Sequence, residues 1–290
     1  MGGVRGAFLR WDPADSIRAA DYTLQRLRSF GVRLPAPNRV EWARDLIRRA
    51  SLFNVQYDRR DQTAVEVVEA QRTIFETFLI VRDLQPPSAD TIKKLESIVR
   101  APNLAALPDD PGRDAQAELF TGAVYRAAGF YVDSGEPDLR ISIGSRVWGV
   151  AVKRVKSDRH YARRVKKAQK QLANQSLYGF IVVNPEIFLA RARAKDPDAD
   201  LSSVMFDKTG DWVDYLTQDQ TLDRVLGVVG LASSFQLVRS PQGHTFEFRL
   251  HIHFRFVTQG DARELAAIKR VSNGMMASLK ATLASLRIPS

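Results

Sequence analysis

The sequence predicts an α/β protein, a mixed sheet flanked by helices with a helical module ahead of it. Three observations predict it. Two short apolar runs, residues 147–152 and 179–183, stand on either side of a basic helical stretch, which is the order of a β-α-β crossover between parallel strands. Residues 245–257 (TFEFRLHIHFRFV) alternate apolar and polar side chains, the pattern of a long strand with one wet face and antiparallel neighbours. Residues 1–105 carry apolar positions at helical spacing.

The helical module reads as four segments. Asp15 or Ser16 can cap a first helix reaching Phe30, with Ile17, Ala20, Leu24 and Leu27 inward and Gly31 as its stop. After Pro35 and Pro37, Asn38 or Arg39 opens a second, with Val40, Ala43, Leu46, Ile47 and Ala50 on one face. A third covers residues 62–84, with Val65, Val68, Ile74, Phe75, Phe78 and Leu79 as its apolar positions, and Pro86-Pro87 breaks it. Ser88 or Asp90 caps a fourth, residues 91–100. The Pro-, Asp- and Gly-rich stretch 101–113 marks a boundary, so the expected organisation is a helical module over 1–105 and an α/β domain with a C-terminal extension over 106–290. Beyond residue 184 the expectation is a helix over 185–195, a loop over 196–210, a helix over 211–225, a strand within 226–238, the long alternating strand, and a final helix over 261–286.

Composition narrows the function classes. The 290 residues include no cysteine, which removes disulfides, thiol nucleophiles and thiolate zinc sites together. No apolar run is long enough to cross a membrane, and the first residues lack the apolar core of a secretory leader, so a cytoplasmic protein is expected. A net charge of +10 points to a polyanionic partner, nucleic acid first. No Gly-rich phosphate loop is present, so nucleotide hydrolysis is not expected. His251 and His253 share a strand face without an evident third ligand and read as an exposed pair.

The chemistry-bearing stretch is 115–174. It offers Glu118 on a helix, Gly129, a strand, the turn Glu136-Pro137-Asp138, a second strand ending Gly149-Val150-Ala151-Val152-Lys153, and a basic helix carrying Gln171. Residues 151 and 153 are two apart on a strand, so their side chains leave the same face. Between 153 and 170 stand nine basic residues: Lys153, Arg154, Lys156, Arg159, Arg163, Arg164, Lys166, Lys167 and Lys170. That exceeds what solubility requires and reads as a surface for backbone phosphates, where His160 and Tyr161 would add bonding or stacking.

Glu118, Pro137-Asp138, Lys153 and Gln171, in that order, resemble the PD-(D/E)XK nuclease superfamily, the restriction-endonuclease-like fold. The resemblance implies a metal-dependent phosphodiester hydrolase acting on DNA. Glu118, Asp138 and position 151 would hold Mg²⁺, or Mn²⁺, to activate water and stabilise the phosphorane. Lys153 would assist the water or the developing charge, Gln171 would orient the site, and the basic helix would grip DNA. A bacterial anti-phage nuclease is the setting it suggests, with a homodimer or larger assembly formed through the N-terminal helices. The pattern fails at Ala151, where the (D/E)XK carboxylate should stand. Ala151 has three explanations: a substitution made to disable the enzyme, a natural loss that leaves a non-catalytic nucleic-acid-binding protein or assembly subunit, or migration of the carboxylate to Glu136. The expectation carried forward is an endonuclease impaired by Ala151.

Overall fold

The computed structural model of the chain describes residues 2–4, 8–52, 62–103, 110–143, 145–155, 157–196, 201–218, 224–240, 243–257 and several short pieces after 261. The elements are β1 (Gly2–Val4), β2 (Phe8–Trp11), α1 (Pro13–Ser29), α2 (Arg39–Leu52), α3 (Gln62–Arg82), α4 (Ala89–Arg100), α5 (Pro111–Ala127), β3 (Tyr131–Gly135) and β4 (Asp138–Ile143). They continue with β5 (Arg146–Arg154), α6 (Asp158–Asn174), β6 (Gly179–Asn184), α7 (Glu186–Lys195), α8 (Leu201–Gln218), β7 (Val225–Ser240) and β8 (Gly243–Phe256). The fold is α/β with a mixed sheet in the order β1-β8-β7-β6-β5-β4-β3, and β2 also pairs with β8. Strands β3, β4 and β5 pair antiparallel, while β5, β6 and β7 pair parallel.

Two compact units share the chain: Met1–Gly6, Val124–Ala232 and Leu250–Thr282 in one, Ala7–Ala123, Ser233–Arg249 and Leu283–Ser290 in the other. The units change within α5, β7 and β8, and most of α5 falls in the unit that holds α1 to α4. Residues 104–109 of the expected linker lie outside the described residues.

In the helical unit α1, α2 and α3 pack on one another and α4 packs on α2. Helix α1 begins earlier than expected. Asp12, not Asp15 or Ser16, is its cap: its carboxylate accepts the Asp15 N–H at 2.6 Å and the Asp15 carboxylate accepts the Asp12 N–H at 3.2 Å. Pro13 suits the first helical position because its fixed φ is already helical and no donor is lost there. Ser88 caps α4, accepting the Thr91 N–H at 3.2 Å. Residues 70–81 of α3 are buried all round, as in a helix at the centre of a core. Phe75 lies against Trp11, Phe235 and Phe248, while Val65 at the outer end is exposed.

In the other unit the parallel pair β5–β6 is bridged by α6, as the two apolar runs predict. Tyr161, Val165, Ala168 and Leu172 turn the apolar face of α6 onto Ala151, Val155, Ile181 and Val183. Gly149 permits the close approach: a Cβ there would lie 2.6 Å from Leu172 Cδ2 and 2.9 Å from Pro137 Cγ.

Two expectations fail together here. Residues 201–210 are helix α8, not loop, because Met205 and Thr209 pack against β7 at Gly230. Around His251 and His253 the polar face of β8 is consequently covered. His251 and His253 are buried, and the His253 ring lies 5.9 Å from Phe206 of α8, so they are not an exposed pair. The helix expected over 261–286 lies largely outside the described residues; residues 262–263, 266–267, 277–279 and 281–282 are helical.

Candidate functional site

The site is built where β4 begins. The β4–β5 ladder stops at the pair Leu139–Val150 and the Pro137 carbonyl accepts from Gln171 instead, so the Val152 N–H, two residues further along β5, turns to a side-chain acceptor. The Asp138 side chain fills the place: Oδ2 accepts the Val152 N–H at 2.7 Å. The same oxygen accepts from Lys153 Nζ at 2.7 Å, and that ammonium also donates to Val152 O at 2.9 Å. Gln171 closes the group from α6. Its Nε2 lies 2.7 Å from Pro137 O, 3.2 Å from Asp138 Oδ1 and 3.2 Å from Glu136 Oε2. Three residues of the predicted constellation, Asp138, Lys153 and Gln171, therefore meet.

Two predicted members do not join them as donors. The β4–β5 register extended by one residue places Ala151 across from Asp138, on the same face as Lys153, but its surroundings are apolar. It is wholly buried in the cluster formed with Val165, Ala168 and Leu172. Glu118 belongs to the helical unit, where its Oε1 lies 2.7 Å from Lys94 Nζ. Lys94 is also 3.1 Å from Asp90. Burial alone would lower the Lys94 pKa, but hydrogen bonds and charge from Glu118 and Asp90 outweigh it and hold the ammonium above its usual value.

Mg²⁺ requires open carboxylate oxygens and keeps several waters. Asp138 has donors on both oxygens, and Glu136 Oε2 meets the same Gln171 amide at 3.2 Å. Among the described residues no three His, Asp or Glu side chains come together at ligand spacing. Asp138 with both oxygens engaged and Ala151 without an oxygen do not make the ligand set that the resemblance implies.

The basic helix divides by side. Arg159, Arg163, Lys166 and Lys170 form an i, i+4, i+7, i+11 ridge opposite the buried face, with Lys167 beside it, and all five are exposed. None of the five makes a hydrogen bond or ion pair with a described residue. Arg164 is half-buried. Three expectations change. Arg154 is not a surface cation: it leaves the opposite face of β5, is 3% exposed and lies 3.6 Å from Glu186 Oε2. Tyr161 is buried, stacked on Trp212, and its hydroxyl donates to Trp212 O at 2.8 Å. Lys153 is 6% exposed and committed to Asp138. Lys156 lies outside the described residues.

A second polar cluster escaped the sequence reading. In the helical unit Arg39, Arg72 and Arg113 come within 3.4, 2.6 and 2.8 Å of Glu69 Oε1. Arg39 also donates to Gln116 and Thr73, and Gln116 and Ser233 donate to Glu76. Nothing local marks it, because its members come from three helices and the start of β7's second half.

No family model, curated protein or solved structure matches the chain.

Proposed function

We propose that this chain is a nucleic-acid-binding protein, with DNA as its polymer, on a PD-(D/E)XK nuclease-type scaffold that does not hydrolyse its ligand as the chain stands. The observation that carries the reading is the ridge of exposed cations on α6, unpaired among the described residues. Such a ridge matches a polyanion and releases condensed counterions when it binds one. The element order α5-β3-β4-β5-α6-β6 and the meeting of Asp138, Lys153 and Gln171 support the scaffold. The apolar burial of Ala151 and the occupied oxygens of Asp138 argue against a metal centre. Lys153 holds the place of counter-charge to Asp138 in its stead.

A second reading has its own support. Gln171 Nε2 stands 3.2 Å from carboxylate oxygens of both Glu136 and Asp138. A shifted pair of acids is therefore assembled for a metal-dependent nuclease, with Glu136 replacing the missing carboxylate.

Plasmid binding and cleavage, measured together for the chain and for Ala151→Glu in Mg²⁺, Mn²⁺ and EDTA, separate the readings. Salt-sensitive binding without cutting by the unmodified chain is the expected result. Cutting by the unmodified chain favours the Glu136 pair. Cutting by Ala151→Glu alone identifies an enzyme lacking one ligand. Absence of binding by either defeats the proposal.

A further inference from the structure

The uncovered part of the sheet beside α6 says which form of nucleic acid the protein takes. Tyr131 opens the edge strand β3 and is 72% exposed. It stands directly across from Ser142 of β4, which stands directly across from Val147 of β5, itself 45% exposed. Opposite residues share a face, and on β5 residues 147, 149, 151 and 153 share theirs. That is the face on which α6 packs, so Tyr131 and Val147 lie on the α6 side of the sheet, where the helix leaves them bare.

Cations stand on this face beside its acids. Arg140, two residues before Ser142, is on the same face, with its guanidinium fixed by Glu136 O and Gln175 Oε1, both at 2.9 Å. These bonds engage two of its five N–H donors. Gln171 reaches Pro137 and Asp138, so that flank of α6 looks onto β4, and Lys167 lies one turn earlier on the same flank. Asp133, across from Arg140, and Glu136, whose Oε2 lies 3.2 Å from Gln171 Nε2, are the exposed acids there. An exposed ring set among fixed and flexible cations is the arrangement that binds unpaired nucleotides, since every base offers a π face while phosphates meet the cations. In a duplex the bases are already stacked and the ring has nothing to receive.

We infer that Tyr131 is a stacking platform for an unpaired base, and that the ligand is single-stranded or frayed nucleic acid whose backbone continues past Arg140 and Lys167 onto α6. The inference rests on the nucleic-acid reading above.

The test is fluorescence-anisotropy titration of labelled oligothymidine and of a duplex of the same length, with the unmodified chain, Tyr131→Ala, Tyr131→Phe and Lys166→Glu. Tyr131→Ala should weaken single-strand binding about tenfold and duplex binding hardly at all, because base–aromatic stacking is worth that much per base. Tyr131→Phe, which keeps the ring, should bind like the unmodified chain. Equal affinity of Tyr131→Ala and the unmodified chain for oligothymidine, with Lys166→Glu weakened, would overturn the stacking and leave the nucleic-acid reading standing. A parallel loss on both polymers would likewise overturn it. Failure of the unmodified chain to bind either polymer would overturn both.

Discussion

Two polar clusters, one in each unit, solve the same electrostatic problem in opposite ways. Around Glu69, three guanidinium groups converge on one carboxylate oxygen, and Arg39 and Arg113 are each 2% exposed. Around Asp138, one ammonium, one backbone N–H and one side-chain amide divide a carboxylate whose side chain is still 18% exposed. The first joins α2, α3 and α5 far from water, where charge without a partner is expensive. The second finishes a strand ladder next to an exposed cationic helix. The difference is one of exposure: the Glu69 cluster is enclosed by three helices, while the Asp138 carboxylate at a sheet end still meets water.

The comparison breaks most directly at Glu69. Glu69→Ala strips the shared carboxylate from three buried arginines and should cost about 3–5 kcal/mol, the usual penalty for breaking a buried ion pair. It would be read as a lower urea midpoint at unchanged m-value. A loss under about 1 kcal/mol would mean that the cluster is no fold determinant. Asp138→Asn keeps the shape but removes the charge that Lys153 meets. It should cost about 1–3 kcal/mol and leave nucleic-acid affinity nearly unchanged, because Asp138 is not part of the ridge.

The sequence made these clusters unequally legible. Asp138, Lys153 and Gln171 fall within one stretch, and strand alternation places Lys153 on the Ala151 face before any coordinates exist. Glu69 offered nothing comparable, since its partners Arg39 and Arg113 lie 30 and 44 residues away. The crossover β5-α6-β6 was legible because apolar runs with a basic helix between them leave few topologies. Helix α8 was not. Its first half, LSSVMFDKTG, carries two serines and a glycine, and the packing of Met205 and Thr209 on β7 overrides that weak propensity. Without α8 the alternation of β8 predicts a wet polar face, and with it His251 and His253 are buried. Arg154 departs from the expected surface for a simpler reason. It belongs to a basic run in sequence, but the strand turns alternate members to opposite faces.

Alkaline pH sharpens the comparison from another side. Burial, reinforced by Tyr215, pushes the Tyr161 hydroxyl well above its ordinary value of 10.0. The folded protein then keeps a proton that the unfolded chain gives up, so this contribution is complete below pH 10 and is lost as pH rises beyond it. Lys94 acts in the same direction: the pair with Glu118 is fully effective below its ordinary value of 10.5 and fades as pH climbs through the raised one. Thermal unfolding should therefore fall in temperature above pH 10, with a shallower decline in Tyr161→Phe. A flat profile to pH 12 would contradict both assignments.

The smallest expected change in stability is at the ridge. Lys166→Glu should leave stability within about 0.5 kcal/mol, as surface substitutions do. It should nevertheless weaken nucleic-acid binding and lower the slope of log K against log salt by about one. An unaltered slope would remove Lys166 from the interface.

The central claim is that the Asp138 site holds no catalytic metal while α6 holds the polymer. The most direct measurement is incubation of supercoiled plasmid with the unmodified chain in Mg²⁺, in Mn²⁺ and in EDTA, with bound and cut plasmid resolved from the same samples. The account predicts retarded but uncut plasmid under all three conditions, with retardation abolished by salt. Nicking or linearisation that requires Mg²⁺ or Mn²⁺ and stops in EDTA would contradict it.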